Sequence, residues 1–164
     1  MILDQVLPQV VLGSCPETPA DVDHLRDAFA VTAVLNLQTD EDMDYLGLDW
    51  DRLQACYRES GMRLCRVPVR DFDREDLRRH LPEGVETLRR LLADDQMVYV
   101  HCTAGIGRSA TVVVAYLHWV QGRDLDRAAG LVAGSHACSP NLEAIRLAEE
   151  DLAERTDPGG QQPS

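Results

Sequence analysis

The sequence predicts an α/β domain: a mostly parallel central sheet of about five strands flanked by helices. Three observations lead there. Short apolar runs rich in β-branched residues, such as 31–37 and 97–101, alternate with longer helical patterns. Those runs carry no charge, as expected of parallel strands covered on both faces. A chain of 164 residues, 45% hydrophobic and 27% charged, also suits one domain able to bury its own core. Residues 1–154 are assigned to that domain, and the polar, Gly/Pro-rich stretch 155–164 to a disordered tail.

Each element has a local reason. Residues 9–12 form a first apolar strand, after which Thr18 caps a helix with Pro19 at its first position and Asp21 and Asp23 in its first turn. Residues 31–37 read as a buried strand, and a polar stretch over 38–44 leads to 45–50. A helix over about 51–60 is closed by Gly61. Residues 62–67 alternate in polarity and stop at Pro68, which suggests a more exposed strand. Beyond a charged loop at 70–73, two helical segments are expected to meet near Leu81-Pro82, because proline disrupts a helix interior. Strand 97–101 precedes a helix over 109–121 that is apolar nearly all round, hence central and buried, and is stopped by Gly122. Two further helices are expected over 125–133 and 140–153.

Charge and composition narrow the partners. A net charge of −12 repels nucleic acid and anionic membranes, so neither is expected as a partner. No apolar run approaches the roughly 20 residues of a spanning helix. The first residues lack the basic and apolar regions of a signal peptide, so a cytoplasmic protein is expected. Five cysteines with no C-x-x-C pair fit neither a disulfide framework nor a zinc site. Cys15, Cys56, Cys65 and Cys138 read as inert. His24, His80, His118 and His136 lack metal-ligand spacing and read as surface or packing residues, so neither metal nor cofactor is expected.

Cys102 is the exception. His101-Cys-Thr-Ala-Gly-Ile-Gly-Arg108 fits H-C-x5-R, and the spacing has a chemical reason. Five intervening residues, Thr103, Ala104, Gly105, Ile106 and Gly107, let the chain wrap once around a phosphate, with backbone N–H groups converging on its oxygens. Arg108 returns beside those oxygens, where a planar guanidinium can contact two at once. Gly105 and Gly107 permit close backbone approach. The helix starting near Arg108 points its positive end into the loop and should favour the Cys102 thiolate. Ser109 is positioned to donate a hydrogen bond to that thiolate, or serves only as a helix N-terminal serine. His101 is expected to order the loop rather than act as a base. Two other readings stand beside this one. Gly105-Ile-Gly-Arg-Ser-Ala110 also fits the dinucleotide pattern G-x-G-x-x-A, but no acidic residue ends a following strand about 20 positions on. The cysteine could also be structural. A nucleotide-binding P-loop is excluded by the missing G-K-[ST]. A phosphatase needs a general acid for the leaving alcohol. Asp71 is the choice and Asp73 the alternate, both on a loop after a strand, about 30 positions before Cys102.

The H-C-x-x-G-x-x-R-Ser motif with an upstream aspartate loop resembles the protein tyrosine phosphatase superfamily, and the chain's length resembles its dual-specificity branch. A narrower resemblance is to the glucan phosphatases of plants and algae, which remove phosphate from starch-type polymers. It is carried by Gly13-Ser-Cys-Pro-Glu-Thr-Pro-Ala-Asp-Val-Asp23, Asp44-Tyr-Leu-Gly-Leu-Asp49, Arg70-Asp-Phe-Asp73, His118-Trp-Val-Gln-Gly122 and Cys138-Ser-Pro-Asn-Leu-Glu-Ala-Ile-Arg146. The resemblance implies a protein tyrosine phosphatase-like fold and hydrolysis through a phosphocysteine on Cys102. It also implies Asp71 as general acid, and a phosphorylated glucan as substrate. The alternative substrate is a phosphoprotein carrying phosphotyrosine, phosphoserine or phosphothreonine. Tyr45 and Phe72 match the family's aromatic channel, and Trp50 is a third candidate for stacking on sugar faces. Thr103, Ala104 and Ile106 are uncharged where phosphoinositide phosphatases usually carry lysines. Leu46 and Ser139 stand where the plant enzymes tend to have aromatic residues, and Ser109-Ala110 replaces their Ala-Pro.

Overall fold

The computed structural model describes residues 1–157. Its elements are β1 (Leu3–Leu7), β2 (Val10–Gly13), α1 (Pro19–Phe29), β3 (Ala33–Asn36), α2 (Asp40–Tyr45), α3 (Trp50–Glu59), β4 (Arg63–Arg66), α4 (Arg74–Ala93), β5 (Val98–His101), α5 (Arg108–Trp119), α6 (Leu125–Ser135) and α7 (Leu142–Thr156). The strands form one sheet in the order β1-β2-β5-β3-β4, parallel except for the antiparallel β1–β2 pair. The mostly parallel α/β sheet expected from the sequence is thus the observed architecture.

Alternation along the inner strands divides the core in two. Val10, Leu12, Ala33, Leu35, Val98 and Val100 face a cluster shared with α4 to α7. Val11, Val34 and Tyr99 face a second cluster with Val22, Leu25, Leu53 and Tyr57 of α1 and α3. Because the strands run parallel, β2, β3 and β5 bring Gly13, Asn36 and His101 into one register at their carboxyl ends. The reactive loop leaves the sheet there, at the crevice where open α/β sheets bind ligands.

The structure corrects several local expectations. The two helical segments expected to meet at Leu81-Pro82 are one continuous helix, α4, with Pro82 inside it. A proline in a helix interior costs about 3 kcal/mol. Against that, Leu77, Leu81, Val85, Leu88 and Leu91 form one buried stripe at i, i+3/i+4 spacing. At about 1.5–3 kcal/mol for each buried side chain, the stripe wins. α2 begins inside the polar stretch 38–44, where Thr39 and Asp42 form a reciprocal capping box. β1 was not expected; it is held by its pairing with β2 and by burial of Val6 in the first core cluster. α7 continues through Arg155 and Thr156, two residues read as tail, and the rest of that tail from 158 to 164 lies outside the described residues. β4 lies at the sheet edge and is the most exposed of the parallel strands, as its alternation predicted.

Candidate active site

Cys102 follows the last residue of β5, and Arg108 opens α5, so residues 102–107 form a turn between a buried strand and a helix N-terminus. Both side chains are buried. Among the described residues, no backbone N–H from Thr103 to Arg108 donates a bond within the protein. The loop carbonyls, in contrast, are held from behind. The Cys102 carbonyl accepts from His101 Nδ1 at 3.0 Å, and the Thr103 carbonyl accepts from the Cys15 N–H at 2.9 Å. In a trans peptide the C=O and the following N–H point opposite ways. Fixing a carbonyl outward therefore turns the next amide inward, here those of Thr103 and Ala104. The loop amides are thus left without protein partners among the described residues, the condition a phosphate nest needs.

Cys102 Sγ lies 3.2 Å from Ser109 Oγ, so the serine can hydrogen-bond to the sulfur. His101 is fully buried, and burial pushes its pKa down to about 4. A carbonyl only accepts, so Nδ1 carries the ring hydrogen and the imidazole is neutral. It is stacked on Tyr99 at 5.5 Å between ring centroids. His101 therefore orders the loop and does not exchange protons near neutral pH. Cys15, the nearby second thiol, is pushed up to about 11 by burial and then by Glu17, which keeps it protonated and inert.

The Arg108 guanidinium is fixed by groups from three other segments. Its Nη1 donates to Asp42 Oδ2 at 2.6 Å and to the Val69 carbonyl at 2.8 Å, and its Nη2 to Thr103 Oγ1 at 3.3 Å. Nε is buried with no partner among the described residues, a donor left for a ligand. Burial opposes ionisation of Asp42, but the Arg108 bond and the Thr39 amide outweigh it and hold the carboxyl below the usual carboxylate range. Asp71 Oδ2 stands 3.2 Å from Arg108 Nη2, at the edge of the cradle. Asp73 instead caps α4, accepting from the Asp76 N–H at 2.9 Å. Only Asp71 of the two candidates faces the arginine.

The cradle is the floor of a cavity of about 430 Å3 whose walls include Asp71, Phe72, Ala104, Ile106 and Ser139. Phe72 is fully exposed and has φ 56°, a left-handed conformation that a bulky side chain adopts only at a cost. Tyr45, the last residue of α2, is also exposed but does not line the cavity. Trp50 opens α3, packs against the second core cluster and carries the Arg66 guanidinium 5.3 Å above its ring. Of the three aromatic candidates, the structure brings only Phe72 to the cavity.

Residues 10–147 match the family model described as dual specificity phosphatase, catalytic domain. The chain belongs to the dual specificity phosphatase family. It is an enzyme domain of that type. Among curated relatives it is 37% identical over 159 residues to the chloroplastic phosphoglucan phosphatase LSF1 of Arabidopsis thaliana, covering 97% of this chain and 27% of the relative. It is 38% identical over 149 residues to the amyloplastic phosphoglucan phosphatase DSP4 of Castanea sativa, covering 90% of this chain and 40% of that protein. To laforin of Mus musculus it is 31% identical, covering 94% of this chain and 50% of laforin. The chain thus spans between about a quarter and half of the length of these relatives. Among solved structures, that of PTPMT1 matches with TM-score 0.73 at 24% identity, covering 95% of this chain and 99% of that one. Human DUSP28 matches with TM-score 0.67 at 26% identity, covering 92% and 95%.

Several parts of this phosphatase site escaped sequence reasoning. Asp42 lies in a run of acidic residues that reads as solvated surface, although Thr39-x-x-Asp42 was a capping signal. The Val69 carbonyl and the Cys15 amide are backbone groups without any sequence signature. Gln38, whose Nε2 donates to Thr103 Oγ1 at 3.1 Å, is buried in a stretch read as polar connector.

Proposed function

We propose that the chain dephosphorylates a phosphorylated glucan through a phosphocysteine intermediate. The observation that carries this reading is 37–38% identity over at least 90% of the chain to two proteins named phosphoglucan phosphatases. Supporting it, the cradle residues Thr103, Ala104 and Ile106 are uncharged, and Phe72 offers an exposed ring at the cavity wall for a sugar face.

In the proposed reaction, Cys102 Sγ attacks phosphorus, forming an S–P bond as the bond to the glucan oxygen breaks. Asp71 gives its proton to that leaving oxygen. The 103–108 amides and Arg108 hold the phosphoryl oxygens through the transition state. Water then attacks phosphorus, the Asp71 carboxylate takes its proton, and the S–P bond breaks. Ser109 Oγ, 3.2 Å from the sulfur, stabilises the departing thiolate. The proposal has no role for a metal or cofactor.

Phosphate release from phosphorylated starch or glycogen, compared with phosphotyrosyl and phosphoseryl peptides and normalised to an aryl phosphate, tests the substrate. A preference for glucan is expected; a preference for peptides would transfer the reading to protein dephosphorylation, which the family as a whole keeps in view. We further propose a cytoplasmic site of action and no nucleic-acid or membrane partner, given the net charge of −12. Among the described residues no helix is long and apolar enough to cross a membrane. Cell fractionation tests the location, and the similarity to chloroplastic LSF1 and amyloplastic DSP4 makes a plastid the competing outcome.

A further inference from the structure

His136 lies far from any recognised motif, yet its ring is almost completely buried between β1 and the phosphate loop. Its Nε2 stands 2.9 Å from the Gly105 carbonyl oxygen, and its Nδ1 stands 2.8 Å from Asp4 Oδ2. Both partners are oxygen acceptors, so a ring nitrogen bonds to either one by donating a hydrogen. Donation from Nε2 to the Gly105 carbonyl is the contact that reaches the phosphate loop. Three residues on, the Ser139 N–H holds the Ile106 carbonyl at 2.9 Å, and the Asn141 N–H bonds Thr111 Oγ1 at 2.8 Å. The segment 136–141 therefore grips the loop and the first turn of α5 from outside.

We propose that His136 is a positioning residue for phosphoryl transfer: by holding the Gly105 carbonyl outward it turns the Ile106 N–H into the phosphate cradle. The peptide is trans, so the two groups are opposed across one rigid plane. Gly105 needs an external restraint because its φ of +73° lies in a region that glycine leaves readily. A Cβ at Gly105 would lie 2.3 Å from the Gly13 backbone, so only glycine fits there, a constraint that does not itself stop rotation of the peptide plane that follows. His136 stops that rotation. The inference rests on phosphocysteine chemistry and not on glucan as substrate.

The test uses His136→Ala and His136→Gln, an aryl phosphate as substrate and inorganic phosphate as competitive inhibitor. The Gln side chain keeps an N–H that can donate to Gly105. His136→Ala is expected to weaken phosphate inhibition about tenfold and to lower kcat by a similar factor, and His136→Gln to recover both to within about threefold of the parent. A folded His136→Ala variant with both values within twofold of the parent, whatever its Tm, overturns the proposal. Should that variant not fold, His136→Gln decides: a folded Gln variant that loses tenfold in both overturns it as well. Cys102→Ser run alongside separates the failures, since turnover retained there rejects the nucleophile itself.

Discussion

The cradle and the mouth above it are built in opposite ways. In the cradle, Cys102, Arg108 and Ser109 are buried, loop carbonyls are held by His101, Cys15, His136 and Ser139, and Asp42 fixes the guanidinium. At the mouth, Phe72 and Ile106 are exposed side chains, and Phe72 sits on a strained backbone. Chemistry on phosphorus needs donors fixed to fractions of an ångström. Binding a polymer face needs only area and reach. Rigidity is concentrated where charge develops, and the variable choice of substrate is left to groups that nothing else restrains.

That contrast can be broken by measurement. The largest effect belongs to Cys102→Ser, expected to lower kcat on an aryl phosphate by at least about 10^4-fold with Tm unchanged. Residual turnover near the parent rate would move the nucleophile elsewhere.

Next comes a pH effect on the cradle. Burial holds the folded pKa of His101 near 4, against about 6.5 for a free histidine. The unfolded chain therefore takes up this proton first as pH falls. Stability from this group is complete above about pH 6.5 and is lost down to about pH 4, in total about 3 kcal/mol. Urea unfolding at pH 7 and pH 4.5 measures it. If His101→Gln shows the same acid loss as the parent, the histidine is not the cause.

Asp71 lies at the boundary of the two regions. Asp71→Ala should slow an alkyl phosphate by about 10^2-fold and an activated aryl phosphate far less, because only the poor leaving group needs the proton. An equal, leaving-group-dependent loss in Asp73→Ala alone would reassign the acid.

The smallest effect tests the mouth. Phe72→Gly should change folding stability by no more than about 1 kcal/mol, since relief of the positive φ offsets the added freedom of the unfolded chain. Glucan turnover should fall several-fold while aryl phosphate turnover stays level. A parallel loss on both substrates would show that Phe72 belongs to the cradle instead.

Legibility followed the same division. Cys102, Arg108, Ser109 and the five residues between nucleophile and arginine were readable because the chemistry is local: one turn of chain around one phosphate. The strand before it and the helix after it were readable from periodicity, and α1 and α3 from their capping and stop residues. α4 was misread at Pro82, because propensity is a local quantity and the buried stripe that overrides it is a tertiary one. Trp50 was read from its residue type, but packing against the second core turned it away from the cavity.

By itself, then, the sequence determined the α/β class and placed the H-C-x5-R segment between a strand and a helix. Only the tertiary structure decided what holds that segment. Arg108 meets Asp42 across 66 positions and the Val69 carbonyl across 39, and His136 meets Gly105 across 31. Spacings of that length have no periodicity to read, and in the last two contacts one partner is a backbone atom that every residue carries. The tertiary structure also set Asp71 rather than Asp73 beside Arg108, because a helix N-terminus claimed the Asp73 carboxylate.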